Sequence, residues 1–182
     1  MQKTIDITEV CLETERLVLR PWQEDDLADF YAYASVPGVG ECAGWKHHES
    51  MEESKRILRM FIDGRHTFAL VDKASGRAIG SLGLEKPSAL ADEGDRETFG
   101  CEIGYVLDKG YWGKGLMTEA VREAIRFCLN DLQMEWVTCA HFMENDRSRR
   151  VIEKCGFAYV RDVAYETQLG EHKPSRLFVI RK

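Results

Sequence analysis

The chain has 182 residues, 44% of them apolar and 31% charged, with a formal net charge of −6. That size and balance describe one ordinary soluble domain with a sizeable core, residues 1–182, and exclude a disordered segment. The negative balance argues against a general nucleic-acid surface and mildly favours a cationic acceptor, and no run approaches the ~20 apolar residues of a membrane helix.

No signal-peptide pattern opens the chain, so a cytoplasmic location is expected. Of the six cysteines (Cys11, Cys42, Cys101, Cys128, Cys139 and Cys155), none are spaced Cys-x-x-Cys, and several sit inside apolar patterns as reduced core thiols. Met1 to Cys11 has no clear period and reads as a loose or strand-like lead-in. Arg16 to Arg20 alternates as a strand does and stops at Pro21. Leu27, Phe30, Tyr31 and Ala34 share one face of a helix from Glu24 to Ser35, which Pro37-Gly38-Val39-Gly40 ends. Glu41 to Glu49 is polar, aromatic and turn-rich. Ser50-Met51-Glu52-Glu53 is a capping box opening a second helix through Ile57, Leu58, Phe61 and Ile62, with Gly64 closing it. Thr67 to Asp72 and Arg77 to Leu84 form a hairpin around Ala74-Ser75-Gly76, followed by an acidic loop from Lys86 to Glu97.

Phe99 to Leu107 alternates as a half-buried strand. Phe99, Cys101, Ile103, Tyr105 and Leu107 take one face, and Gly100, Glu102, Gly104 and Val106 the other. From Leu116 the period becomes helical: Leu116, Ala120, Ala124 and Phe127 align, and Met117, Val121, Ile125 and Cys128 widen the stripe. Trp136 to Phe142 is a further strand, and Asn145 caps a short helix to Lys154. Strands at about Ala158 to Gln168 and Arg176 to Ile180 then meet at Leu169-Gly170-Glu171. The order β-α-α-β-β-β-α-β-α-β-β is that of an α/β (α+β) chain.

Between the strand at 99–107 and the helix from Leu116 lies Gly110-Tyr111-Trp112-Gly113-Lys114-Gly115. A glycine-rich turn entering a helix offers unpaired N–H groups at the positive end of the helix dipole, a natural seat for phosphate. It is not a P-loop, because Gly115 stands where Ser or Thr would follow Gly-Lys. Nor is it a dinucleotide fingerprint, because Thr118 replaces the third glycine. Trp112-Gly113-Lys114-Gly115-Leu116-Met117 resembles the Gln/Arg-x-x-Gly-x-Gly/Ala phosphate loop of the GNAT acyltransferase superfamily, with Trp112 and Met117 as departures. The spelling Tyr-Trp-Gly-Lys-Gly followed by Thr-Glu-Ala, and the opening Leu12 to Pro21, resemble the branch containing ribosomal-protein N-terminal acetyltransferases. Asn145-x-x-Ser148 followed by Val151 to Phe157 resembles that family's fourth helix and its exit, so the likeness spans about Leu12 to Ile180.

The resemblance implies a GNAT fold: a mixed, mostly antiparallel central sheet of about six to seven strands with four helices, splayed between the fourth and fifth. It implies a bacterial-type, acetyl-CoA-dependent N-acetyltransferase, with no metal. Pantetheine would lie against the main chain of Val106 and Leu107, and the pyrophosphate on the N–H groups of Gly113 to Met117, with Lys114 adding charge. Glu102 is the implied base, with His141 its rival. Many relatives use a tyrosine acid where this chain has Ile152; Ser148 is the branch's substitute, and Asn145 would hold the pantetheine arm. The acceptor side is expected to involve Trp45, His47, Glu102 and His141. An α-amine with a pKa near 8 is cheaper to neutralise than a lysine near 10.4, by roughly 3.5 kcal/mol, which favours a protein or peptide N-terminus. A small amine (polyamine, amino acid or antibiotic) and a non-catalytic CoA-binding module are the alternatives, in a monomer or homodimer.

Overall fold

The computed structural model describes residues 4–182; of the lead-in, residues 1–3 lie outside them. The strands are β1 (Leu12–Glu13), β2 (Leu17–Pro21), β3 (Thr67–Asp72), β4 (Ala78–Glu85), β5 (Gly100–Leu107), β6 (Trp136–Phe142), β7 (Ala158–Glu166) and β8 (His172–Arg181). The helices are α1 (Leu27–Ala34), α2 (Met51–Gly64), α3 (Leu116–Arg126) and α4 (Asp146–Lys154). All eight strands form one sheet in the order β1-β2-β3-β4-β5-β6-β8-β7, one strand more than the expected six to seven. The added strand is β1, whose Leu12 and Glu13 pair with Leu19 and Val18. Two residues are too few to carry an alternating pattern.

Apolar residues of α1 and α2 (Phe30, Tyr33, Leu58) pack on one face of the sheet against Ala69, Val71, Ala78 and Val106. On the other face, α3 and Ile152 of α4 pack against Leu17, Leu19, Phe68, Cys101 and Ile103. Strand β5 is therefore covered on both faces, and not half-buried as its alternation predicts; the glycines on one side conceal the second layer. Ile7 of the lead-in is also core, and its N–H donates to the Arg65 carbonyl at 2.9 Å.

Several element ends differ from expectation for identifiable reasons. Arg65, and not Gly64, takes the left-handed φ of 56° at the end of α2. Gly64 instead makes room for a ring, since a Cβ there would lie 2.8 Å from His66 Cε1. The third helix passes into a π turn over Phe127–Asp131, closed by Leu132 N–H to the Phe127 carbonyl. Strand β8 begins at His172, earlier than the alternation suggests. The loop at 86–97 contains a 3-10 turn, Glu93–Arg96, with buried Asp95 gripped by Arg181 at 2.7 and 3.2 Å. Arg161 of β7 also donates to the Leu90 carbonyl at 2.6 Å and the Ala91 carbonyl at 3.2 Å, so the loop is held to the β7–β8 side.

The sheet is antiparallel except between β5 and β6, where only Gly100↔Trp136, Cys101↔Val137 and Glu102↔Thr138 are paired. Beyond Glu102, β5 stays with β4 as far as Leu107 and β6 stays with β8 as far as Phe142. The two therefore splay apart, as the resemblance implies. At the root of the splay the Trp136 ring fills the space over Gly100, where a Cβ would lie 2.2 Å from Cδ2. Gly100→Ala is expected to lower stability by about 1–3 kcal/mol through overpacking, read from urea unfolding midpoints.

Candidate active site

The gap between β5 and β6 opens into a cleft of about 350 Å³, bounded at one end by the turn before α3 and along one side by α4. Successive residues of β5 enter it from opposite faces. Glu102 lies toward the α1–α2 side with Val106, whereas Ile103 and Tyr105 lie toward α3 and α4.

Gly113 and Gly115, with φ of 74° and 79°, shape the turn, and a Cβ at Gly113 would meet nothing within 4 Å. Ser50 caps α2 and Asn145 caps α4, but no side chain caps α3. Its first N–H groups are therefore left for a ligand entering the cleft. Trp112 shows what replaces the family's Gln/Arg: its indole N–H donates to the Leu107 carbonyl at 2.7 Å, and the Arg147 guanidinium lies 4.1 Å over its ring. The Leu107 carbonyl thus already has a partner.

Glu102 is buried, and its Oε2 accepts hydrogen bonds from the Ser88 N–H (2.8 Å) and hydroxyl (2.7 Å). Beside it, a Cβ at Gly104 would meet nothing within 4 Å, so the space next to the carboxylate is open. Burial lifts the Glu102 carboxyl above the ordinary glutamate value, Ser88 opposes the rise and neighbouring Glu85 adds to it. From the other side, Ser148 Oγ stands 2.8 Å from the Tyr105 hydroxyl. Asn145 uses both ends of its side chain: Oδ1 accepts from Ser148 N–H at 3.1 Å, and Nδ2 donates to the Cys42 carbonyl at 3.2 Å. His141 also lies on the α4 side, stacked on Phe178 with centroids 5.5 Å apart. Its Nδ1–H donates to the Phe142 carbonyl at 2.7 Å, and its Nε2 is buried and without a partner among the described residues.

Residues 16–158 match the family model for an acetyltransferase (GNAT) domain. The chain belongs to the GNAT acetyltransferase family. It is 28% identical over 159 residues to the uncharacterized N-acetyltransferase YoaA of Bacillus subtilis (strain 168), covering 80% of this chain and 81% of that one. It is 27% identical over 176 residues to the [ribosomal protein uS5]-alanine N-acetyltransferase of Escherichia coli (strain K12), covering 86% and 84%. Its fold matches the microcin C7 self-immunity acetyltransferase MccE, solved with acetyl-CoA and AMP, at a TM-score of 0.75 and 15% identity over 93% and 94% of the chains.

The sequence-derived residues of this GNAT chain line the cleft with the exception of Lys114, Trp45 and His47. Lys114 points its ammonium over the Tyr111 ring at 5.0 Å. Trp45 packs against His48 in the α1–α2 layer, its ring occupying the space over Gly40. His47 Nδ1 pairs with Glu41 at 2.7 Å. Burial pushes the Glu41 carboxyl up, but hydrogen bonds from His47 and backbone N–H groups outweigh it and bring it down to about 2. Sequence reasoning missed Tyr105, Ser88 and the cations Arg147, Arg150 and Lys154 along the α4 wall. The signal for Tyr105 was available: a phenol on an otherwise apolar strand face needs a polar partner.

Glu102 gives this GNAT site a pH signature. Its proton is held more tightly in the folded chain than in the unfolded one. The associated stability is present below the unfolded glutamate pKa of about 4.3 and is lost as pH rises through the raised folded value. Glu102→Gln keeps an acceptor for Ser88 but cannot ionise. The variant is expected to match the natural protein below about pH 4 and to be the more stable near pH 7.5, by urea midpoints at each pH. A stability difference independent of pH would contradict this.

Proposed function

We propose that this N-acetyltransferase moves the acetyl group of acetyl-CoA onto the N-terminal α-amine of a protein or peptide, by direct attack in a ternary complex. The observation that carries the reading is that Glu102 and the Ser148–Tyr105 pair line one cleft from opposite faces of the sheet, beside an uncapped helix start. Acetyl-CoA would supply a thioester, with its phosphates at the Gly113–Met117 N–H groups and its pantetheine along the β5 edge at Val106. A relative acting on a ribosomal-protein alanine supports the choice of acceptor.

In this reading Glu102 takes the proton that the amine must lose. A carboxylate raised by burial is a stronger base than an exposed one, and an α-amine with a pKa near 8 needs only modest help. Ser148 directs its hydroxyl proton to the departing sulfur. The Tyr105 hydroxyl lies 2.8 Å from Ser148 Oγ and 3.3 Å from the Ser148 carbonyl; by donating to the nearer Oγ it would fix that direction and leave the serine O–H free. Burial pushes the Cys139 thiol at the cleft well up, so it stays protonated, in keeping with direct attack and not a thiol-borne acyl group. A cytoplasmic location accords with six unpaired cysteines.

The deciding experiment is thiol release from acetyl-CoA with a panel of peptides and small amines, with products identified by mass. Acetylated peptide N-termini are expected; turnover confined to polyamines, amino acids or antibiotics would replace the acceptor, and binding without turnover would indicate a regulatory module. Glu102→Gln should lower turnover by about 10²–10⁴-fold with acetyl-CoA affinity within a few-fold, and the loss should shrink at high pH. An unchanged pH–rate profile would exclude Glu102 as base.

Ser148→Ala should lower kcat and kcat/KM together by about 1.5–3 kcal/mol. Tyr105→Phe should cost less, and should add little on the Ser148→Ala background because the two hydroxyls act as one unit. Additive losses would separate Tyr105 from Ser148.

A further inference from the structure

Two short stretches, Thr14-Glu15-Arg16 ahead of β2 and Thr118-Glu119-Ala120 in the first turns of α3, meet behind the glycine turn. Glu119 Oε1 accepts from the Thr14 hydroxyl at 2.5 Å and from the Arg16 backbone N–H at 2.8 Å. Its Oε2 accepts from Arg16 Nε at 2.8 Å and lies 2.7 Å from Nη2. The remaining arm of the guanidinium, Nη1, donates to the Lys114 carbonyl at 2.9 Å. Arg16 therefore forks between the side chain of α3 and the backbone of the turn that precedes it, a geometry that a planar guanidinium offers and a lysine does not.

The Lys114 carbonyl and the Gly115 N–H belong to one planar trans peptide, in which C=O and N–H point in opposite directions. Tying the carbonyl down behind the turn aims the Gly115 N–H away from Arg16. Gly115 lines the cleft, and a Cβ on it would face Arg16 Nη2 at 3.6 Å. Glu119 also anchors the first turn of α3 itself, its N–H donating to the Gly115 carbonyl at 3.1 Å. Because Glu119 neutralises Arg16, the pair adds little net charge to the site, and its effect is geometric.

We propose that Arg16 and Glu119 are positioning residues for the pyrophosphate of CoA, locking the Lys114–Gly115 peptide so that its N–H faces the ligand. The proposal rests on the CoA-loop reading given above. Neither residue touches the acyl group or the amine, so the lock acts on binding of the phosphate-bearing part of the donor alone.

The test is a pair of affinities measured by calorimetry, for CoA and for pantetheine, which lacks the pyrophosphate and nucleotide. In the natural protein CoA is expected to bind far more tightly. Arg16→Gln should weaken CoA by about 10-fold and pantetheine by less than about twofold. Arg16→Lys should reproduce most of the CoA loss, because one ammonium cannot serve Glu119 and the Lys114 carbonyl in the same fork. If Arg16→Gln does not fold, Arg16→Lys carries the test. Parallel weakening of both ligands would reduce the pair to a structural brace, and unchanged CoA affinity would remove it from the site altogether; either overturns the proposal. If the natural protein itself does not prefer CoA to pantetheine, the CoA-loop reading falls first. A failure confined to the variants leaves that reading standing.

Discussion

A pair of parallel strands normally continues side by side, because each unpaired backbone group at the edge costs a hydrogen bond. Here β5 and β6 stop pairing after three registers while each continues with its outer neighbour. The result is two facing strand edges inside a covered sheet, with helices closing both faces. Such edges are ordinarily blunted or paired; in the proposed reading they receive an extended ligand. The uncapped start of α3 lies at one end of the cleft, and the start of α4, along one side, is capped by Asn145.

The splay also decides which side chains can meet. Alternation along β5 sends Glu102 and Tyr105 to opposite faces, and both line the one cleft that the gap opens. The α1–α2 side is built from distant parts of the chain. Ser88 holds Glu102 from a loop that Arg161 and Arg181 pin to the far strands. Burying a carboxylate with two neutral donors and, among the described residues, no cation disfavours its charged form, which is a cost to folding and, in the proposed reading, an advantage to a base.

How far the sequence discloses this depends on the range of the interaction. The periods of β5 and α3, the capping residues Ser50 and Asn145, and the glycine turn are local, and they appear in the structure close to where the pattern places them. Direction is not local. Lys114, Trp45 and His47 have suitable chemistry beside the right elements, but Tyr111, His48 and Glu41 draw them elsewhere. Partners far apart in the chain were invisible: Tyr105 with Ser148 at a separation of 43, and Arg16 with Glu119 at 103. Periodicity names a face, and a face holds several possible contacts. Short or irregular features such as β1 and the left-handed Arg65 leave too few residues for any pattern to register.

Trp112 carries a consequence beyond its place in the turn. Of the four tryptophans, Trp22 and Trp136 are buried in the core, and Trp45 is packed among the aromatic residues of the α1–α2 layer. Trp112 lines the cleft, with its indole N–H on the Leu107 carbonyl and a guanidinium over its ring. Its indole therefore sits among neighbours that themselves line the cleft, Leu107 and Arg147. The protein carries its own optical probe in the cleft wall, and a donor bound there as proposed would be read from intrinsic fluorescence without a label.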